Sequence, residues 1–334
     1  MLVFVLIVIS SMTILAIGLA YRSRVEMRLS YASCQRAKAY YLALGGLQWC
    51  KALLAQTPLN PERTTRVCRF NSSAASDRER LFEQIKTYTD EPMELVYWIR
   101  DELGYLSVNK SDSGSWENLG SIRREQQACI LDWIDLDSDT NLDGAELDFY
   151  ERLEPPWLCK NASIIALKEL LFVKNITHDR YIGRLIDSAA KIAGKVDYQL
   201  LFESDPEKGN PGLVNIFSAH GDGKVNINTA SGGILSSLPG IDEQAVEAIL
   251  TLRAGPDGQD RTDDDVCVEN AEGISRLEGL TELQAELLQQ YCCFNSDTFR
   301  IFSYAEVKGH KCFLMATVRV AENRPQILTV ERLL

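Results

Sequence analysis

The first 56 residues leave this chain few ways to fold. Met1 to Ala20 (MLVFVLIVISSMTILAIGLA) is an apolar run without a single charge. No proline follows until Pro58, so the run passes unbroken into YRSRVEMRLSYASCQRAKAYYLALGGLQWCKALLAQ. At about 1.5 Å per residue, such a helix would be ~30 Å long where it is apolar, the thickness of a bilayer core. Beyond Tyr21, the apolar residues Val25, Leu29, Ala32, Tyr40, Leu44, Leu47 and Leu54 recur at helical steps. That spacing predicts one amphipathic face. One helix is therefore expected, lipid-soluble at its start and packed at its end on its own domain or on neighbouring subunits.

A cleaved signal peptide would carry a basic region ahead of the apolar run and a small-residue cleavage site. Neither is present, so a retained anchor is expected. Arg22, Arg24 and Arg28 follow the anchor, where the positive-inside rule would hold that side in the cytoplasm. A basic leader upstream would remove the conflict, so residue 1 is read as a processed end or a misassigned start.

Net charge decides the next question. At -12, with a pI near 4.9, the chain lacks the clustered Lys and Arg that bind a phosphate backbone. Its nine cysteines are Cys34, Cys50, Cys68, Cys129, Cys159, Cys267, Cys292, Cys293 and Cys312, and none forms a CxxC pair. A zinc ribbon or thioredoxin-like motif is thereby disfavoured. In an oxidising compartment several would pair as disulfides. Cys34 and Cys50 fall on the N-terminal helix and read as small apolar residues.

Thr57 to Asn71 reads as a polar connector. Met93 to Asn109 reads as two strands around a turn at Asp101–Gly104, and Ser111 to Gly120 as a Ser/Gly-rich link. Helical patterning broken by acidic loops runs from Ile122 to about Gln290. The tail from Thr298 alternates apolar and polar residues, predicting three strands with turns at Lys308–His310 and Glu322–Pro325. The expected organisation is a membrane part (1–20), an amphipathic continuation (21–56), a first part of a small sheet (57–110), an inserted helical domain (111–295) and closing strands (296–334).

Three segments bear on chemistry. In LDWIDLDSDTNLDGAELDFY, Asp135, Asp137, Asp139, Asn141 and Asp143 alternate, with Gly144 and Glu146 behind them. Alternating oxygen side chains before a glycine are how a loop wraps Ca²⁺, which takes about 6–8 oxygens. Five such side chains would repel one another without a cation. Counted from Asp139, the twelfth position is Tyr150 and not Glu, so an EF-hand proper is disfavoured. The second segment, AGPDGQDRTDDDVCVEN, places Asp257, Asp260, Asp263, Asp264 and Asp265 among glycines at looser spacing. A second calcium site and a plain surface loop both fit it. The third, KVNINTASGGILSSLPGIDEQAVEAILTLR, reads as a helix capped by Asn228 or Thr229, a turn at Pro239–Gly240 and a second helix over Glu243–Leu252. That is a helix-hairpin-helix pattern. Asp242 puts a carboxylate where a DNA phosphate would sit, so packing is favoured over DNA contact. The histidines, His178, His220 and His310, join no nucleophile or base, and no catalytic motif is present.

Several segments together resemble the minor pseudopilin K family of type II secretion systems. They are RAKAYYLALGGL (Arg36–Leu47), DELGYLSVN (Asp101–Asn109), ACILDWIDLDSDTNLDGAELDFY (Ala128–Tyr150), CKNASIIALKELLFV (Cys159–Val173), Gly223–Ile241 and the closing strands, in that order. The resemblance implies an α+β, pilin-like fold: a long N-terminal helix on a small antiparallel sheet, with a large helical (helix-hairpin-helix or SAM-like) domain inserted between strands. It implies calcium in that domain and a prepilin processed by a prepilin peptidase. Its single-pass anchor would lie in the bacterial inner membrane, with the bulk of the chain in the periplasm. It also implies a place at the pseudopilus tip with the I- and J-type minor pseudopilins, and no nucleic acid. Most pilins carry a Glu near the mature N-terminus; the first acid here is Glu26. A membrane-tethered DNA-uptake receptor and a type IV pilus minor pilin are the alternatives.

Overall fold

The computed structural model describes residues 1–56, 93–111, 113–183, 212–258, 265–275, 277 and 279–333. The 57–71 connector lies outside the described residues.

Helix α1 runs unbroken from Leu2 to Gln56. Its C-terminal half packs on a four-stranded antiparallel sheet of β1 (Met93–Asp101), β6 (Thr298–Val307), β7 (His310–Ala321) and β8 (Arg324–Arg332), in that order. Alternation sorts the strands cleanly. Leu95, Tyr97 and Ile99 of β1, Phe299, Ile301 and Ala305 of β6, and Leu314, Ala316 and Val318 of β7 form one core with Ala39, Ala43, Leu47, Cys50 and Leu54 of α1. Trp98, Phe302, Tyr304, Phe313 and Met315 point the other way, into the core of the inserted domain. A one-residue slip would exchange the two cores. The registers Ile99↔Ile301 and Ile301↔Ala316 hold them apart.

Both closing hairpins turn through two residues, Lys308–Gly309 and Glu322–Asn323, all with positive φ. Such turns match the right-handed twist of the strands they join. Helix and sheet meet closely at Gly46, where a Cβ would lie 2.5 Å from Ser303 Oγ. That hydroxyl donates to the Ala43 carbonyl at 2.7 Å.

The buried face of α1 differs from the one its periodicity predicts. Val25, Leu29 and Tyr40 are exposed, and burial begins at Gln35. A sheet of strands no longer than 12 residues covers only part of a 55-residue helix, so the earlier turns run past it.

The inserted domain lies in sequence between β1 and β6, which are neighbours in the sheet. Its helices are α2 (Ser113–Asn118), α3 (Arg124–Ile134), α4 (Leu147–Tyr150), α5 (His178–Ile182), α6 (Gly232–Ser237), α7 (Glu243–Arg253), α8 (Ala271–Ser275) and α9 (Glu282–Tyr291). Two parallel bridges tie it together: β2 (Leu106–Ser107) with β3 (Phe217–Ser218), and β4 (Val225–Asn226) with β5 (Cys292–Cys293). Three local expectations are corrected. Leu106–Ser107 pairs with Phe217–Ser218 and not back onto β1, because the 3₁₀ turn Glu102–Gly104 leads the chain away from the sheet. The Ser/Gly-rich link holds α2, fixed by buried Trp116 against Phe217 at 4.9 Å. Helix α6 is capped by Ser231, because Asn228 is committed to Val268 and Phe294 and Thr229 to Asp101.

Asp101 is the joint between sheet and insert. Its carboxylate accepts from Leu103 N at 2.9 Å, Asn226 Nδ2 at 2.8 Å and Thr229 Oγ1 at 2.7 Å. Burial outweighs these bonds and pushes its pKa up to about 6. The folded chain therefore holds this proton more tightly than the unfolded one. The group's contribution to stability grows as pH falls below about 6 and vanishes above it. Relative to Asp101→Asn, the natural chain should gain roughly 1 kcal/mol on going from pH 7 to pH 5. Melting both chains across that range checks this; a constant difference would contradict it.

Candidate metal centre

The acidic loop is built around Asp132, a residue outside the alternating set. Asp132 is wholly buried on α3, one turn before Asp135. Its Oδ2 accepts from Ala145 N at 2.7 Å and its Oδ1 from Asn141 N at 3.2 Å. The Asn141 side-chain amide donates to the same Oδ1. Gly144 makes this possible: a Cβ there would lie 2.0 Å from Asp132 Oδ2. The glycine is required for the carboxylate's seat.

Around this anchor the ligand-type oxygens of Asp132, Asp135 and Glu146 all lie within 4.8 Å of one another. Ca²⁺ holds its oxygens at roughly 2.3–2.6 Å, so two on opposite sides of one ion are about 5 Å apart. The cluster fits that span. Its polar balance fits too. Asp135 Oδ1, both carboxylate oxygens of Glu146 and Asn161 Oδ1 are buried without a hydrogen-bond partner. Burial, then Asp137 and Asp132, pushes the Asp135 carboxyl above its usual range. Burial and then Asp132 do the same to Glu146. No cation pairs with any of the three among the described residues. Lys174 donates to the Gly144 carbonyl at 2.9 Å and lies over the Phe149 ring, and Lys160 pairs with Glu169. Three clustered carboxylates, two of them with idle buried oxygens, and no counter-charge among the described residues are what a divalent cation would satisfy.

Of the alternating residues, the fold gathers Asp135 and Glu146 with Asp132. Asp137, Asp139, Asn141 and Asp143 lie exposed along the loop. The Asp137 carbonyl accepts from Asn161 Nδ2, which brings the Cys159–Asn161 segment against the loop. Tyr150 is a buried pillar: its ring lies edge-on to Trp133 at 5.2 Å, and its hydroxyl accepts from Lys174 N. Periodicity did contain a signal for Asp132, since residues at i and i+3 share a helix face. An alternation read from Asp135 onward passes over it.

In the second acidic segment, Asp257 is exposed in the turn after α7 and Asp265 is half-buried. Asp260, Asp263 and Asp264 lie outside the described residues. In the helical hairpin, Asp242 caps α7 by accepting from Ala245 N at 2.9 Å. It occupies the amide that a phosphate would need.

Residues 117–183, which hold this centre, match the family model for type II secretion system (T2SS) protein K. Over this stretch the chain is similar to type II secretion protein K. The match centres on the acidic-loop domain rather than the anchor or the sheet. No curated protein matches the chain. Among solved structures, a chain from the crystal structure of the GspK-GspI-GspJ complex of the enterotoxigenic Escherichia coli type 2 secretion system is similar over 93% of this chain and 99% of that one. The identity is 13% and the TM-score 0.49.

Proposed function

We propose that this chain is a minor pseudopilin at the tip of the type II secretion pseudopilus, where it initiates or caps assembly for protein export. The observation that carries the reading is the family match over 117–183 in a chain that also bears a long apolar helix laid on an antiparallel sheet. The window that qualifies Leu2–Gln56 as a membrane-spanning candidate is wholly exposed, with a mean hydropathy of 2.8. An apolar helix with nothing packed on it needs a lipid or protein environment. In this reading it anchors the chain once in the inner membrane, with the bulk of the chain in the periplasm. The I- and J-type minor pseudopilins are its neighbours, and a prepilin peptidase processes it. The helical insert, standing off one face of the sheet, supplies the bulk that closes a filament end. Calcium held by Asp132, Asp135 and Glu146, with Asn161 as a further oxygen donor, is the cofactor of this reading. The role is assembly and not catalysis.

Deleting Met1–Ala20 tests the reading. Export should fail while the remaining chain keeps a cooperative melt. Normal export from the deletion strain would overturn the proposal.

A further inference from the structure

We infer that Arg24 and Arg28 form a docking site for anionic phospholipid headgroups, on the leaflet that faces the sheet. The inference rests on reading the apolar start of α1 as a bilayer span.

The helix gives the levels. From Ala20, each residue adds about 1.5 Å. Tyr21, 72% exposed, falls where the apolar run ends, the position that interfacial tyrosines favour. Arg22 and Arg24 follow within ~6 Å and Arg28 within ~12 Å, which spans the headgroup layer and its first counter-ion shell. The folded body begins further out. Its approach to the helix is marked by Lys308, in the β6–β7 turn, whose Nζ lies 5.6 Å from the Tyr31 ring centroid. Residue 31 is ~16 Å beyond Ala20 along the axis. The arginines therefore occupy the gap between the apolar span and the body, and all three are exposed.

Charge then selects an occupant. Glu26, the one acid between Tyr21 and Lys38, is already bound by Arg22 at 2.9 Å. Arg24 and Arg28 have no partner among the described residues. They sit four apart on one helix face, where like charges repel and destabilise the helix. An anion bridging them reverses the sign of that interaction. Among the described residues the chain itself is a poor source, because every described acid other than Glu26 belongs to the body beyond Tyr31. The nearest dense layer of anions is the membrane surface that the same helix crosses. The guanidinium stems can also bend back toward that surface.

The test uses the full chain in vesicles of phosphatidylcholine and phosphatidylglycerol at three to one. The vesicles are then cut into polymer-bounded discs whose lipids are weighed by mass spectrometry. Discs around the natural chain should carry a phosphatidylglycerol-to-phosphatidylcholine ratio raised above that of the vesicles, with about fivefold as the ceiling for the lipids at each arginine, the factor that ~1 kcal/mol near an anionic surface corresponds to. Arg24→Gln with Arg28→Gln should return the ratio to the average, and Arg24→Lys with Arg28→Lys should keep it raised. Discs with the average ratio around the natural chain, or equal enrichment around the glutamine variant, would overturn the lipid site while leaving the anchor intact. A chain that fails to float with the vesicles would overturn the anchor reading and the site with it.

Discussion

Replacing Arg300 with methionine is expected to cost about 3–5 kcal/mol, the range for stranding one half of a buried ion pair. Arg300 on β6 and Glu102 in the turn after β1 are each about 1% exposed. The guanidinium grips both carboxylate oxygens, Nε to Oε2 at 2.6 Å and Nη2 to Oε1 at 2.8 Å. It also donates to the carbonyls of Val214 and Phe217 and lies over the Tyr105 ring at 4.3 Å. Burial alone would push its pKa down, but Glu102 at contact distance holds it above the usual value. One side chain thus ties β6 to the turn after β1 and to the Val214–Phe217 stretch of the inserted domain. Arg300→Met leaves Glu102 charged and buried and frees two carbonyls. Arg300→Met with Glu102→Met removes the stranded charge and should lose less than Arg300→Met alone. Chemical unfolding of the three chains measures this. A single variant within 1 kcal/mol of the natural chain, or a double variant less stable than the single, would contradict the account.

Calcium should raise the melting temperature, and Glu146→Gln should abolish the response. A cation that binds only the folded chain adds about 2.7 kcal/mol at 100-fold excess over its dissociation constant. For a chain of 334 residues that is a rise of roughly 4 °C. Glu146 is the informative position because neither of its carboxylate oxygens has a hydrogen-bond partner. Removing its charge relieves its repulsion with Asp132. The glutamine variant should melt no lower than the natural chain without calcium and show no rise with it. Asp132→Asn should behave differently. It places an amide against Ala145 N, the donor now seated 2.7 Å from Oδ2, so it should melt lower even without calcium. A natural chain indifferent to calcium would remove the metal from the account, and an undiminished rise in Glu146→Gln would move it elsewhere.

What could be read from sequence divides along physical lines. Local regularities were legible: the unbroken apolar run, the period-2 tail and the two hairpin turns specify their structures within a few residues, so α1, β6, β7 and β8 needed no tertiary information. Pairings between distant segments were not. Leu106–Ser107 looks like the return strand of a hairpin, yet its partner Phe217–Ser218 lies across the inserted domain. The hairpin helix α6 takes its cap from Ser231 because long-range bonds had already claimed Asn228 and Thr229. The metal centre shows both behaviours. Its loop announced itself through alternating oxygens, but an alternation describes an extended segment, whereas Asp132 belongs to the preceding helix. Only the fold reveals that Gly144 leaves room for that carboxylate, and that Asp135 and Glu146 then turn inward while Asp137, Asp139 and Asp143 remain at the surface.

The most direct test of the central claim is recovery of the tagged full chain from detergent-solubilised native membranes with calcium present, followed by mass spectrometry of what accompanies it. The account predicts small pilin-like subunits, the I- and J-type minor pseudopilins, at close to one copy each. Recovery of DNA-uptake components, or of no pilin-like partner, would contradict it.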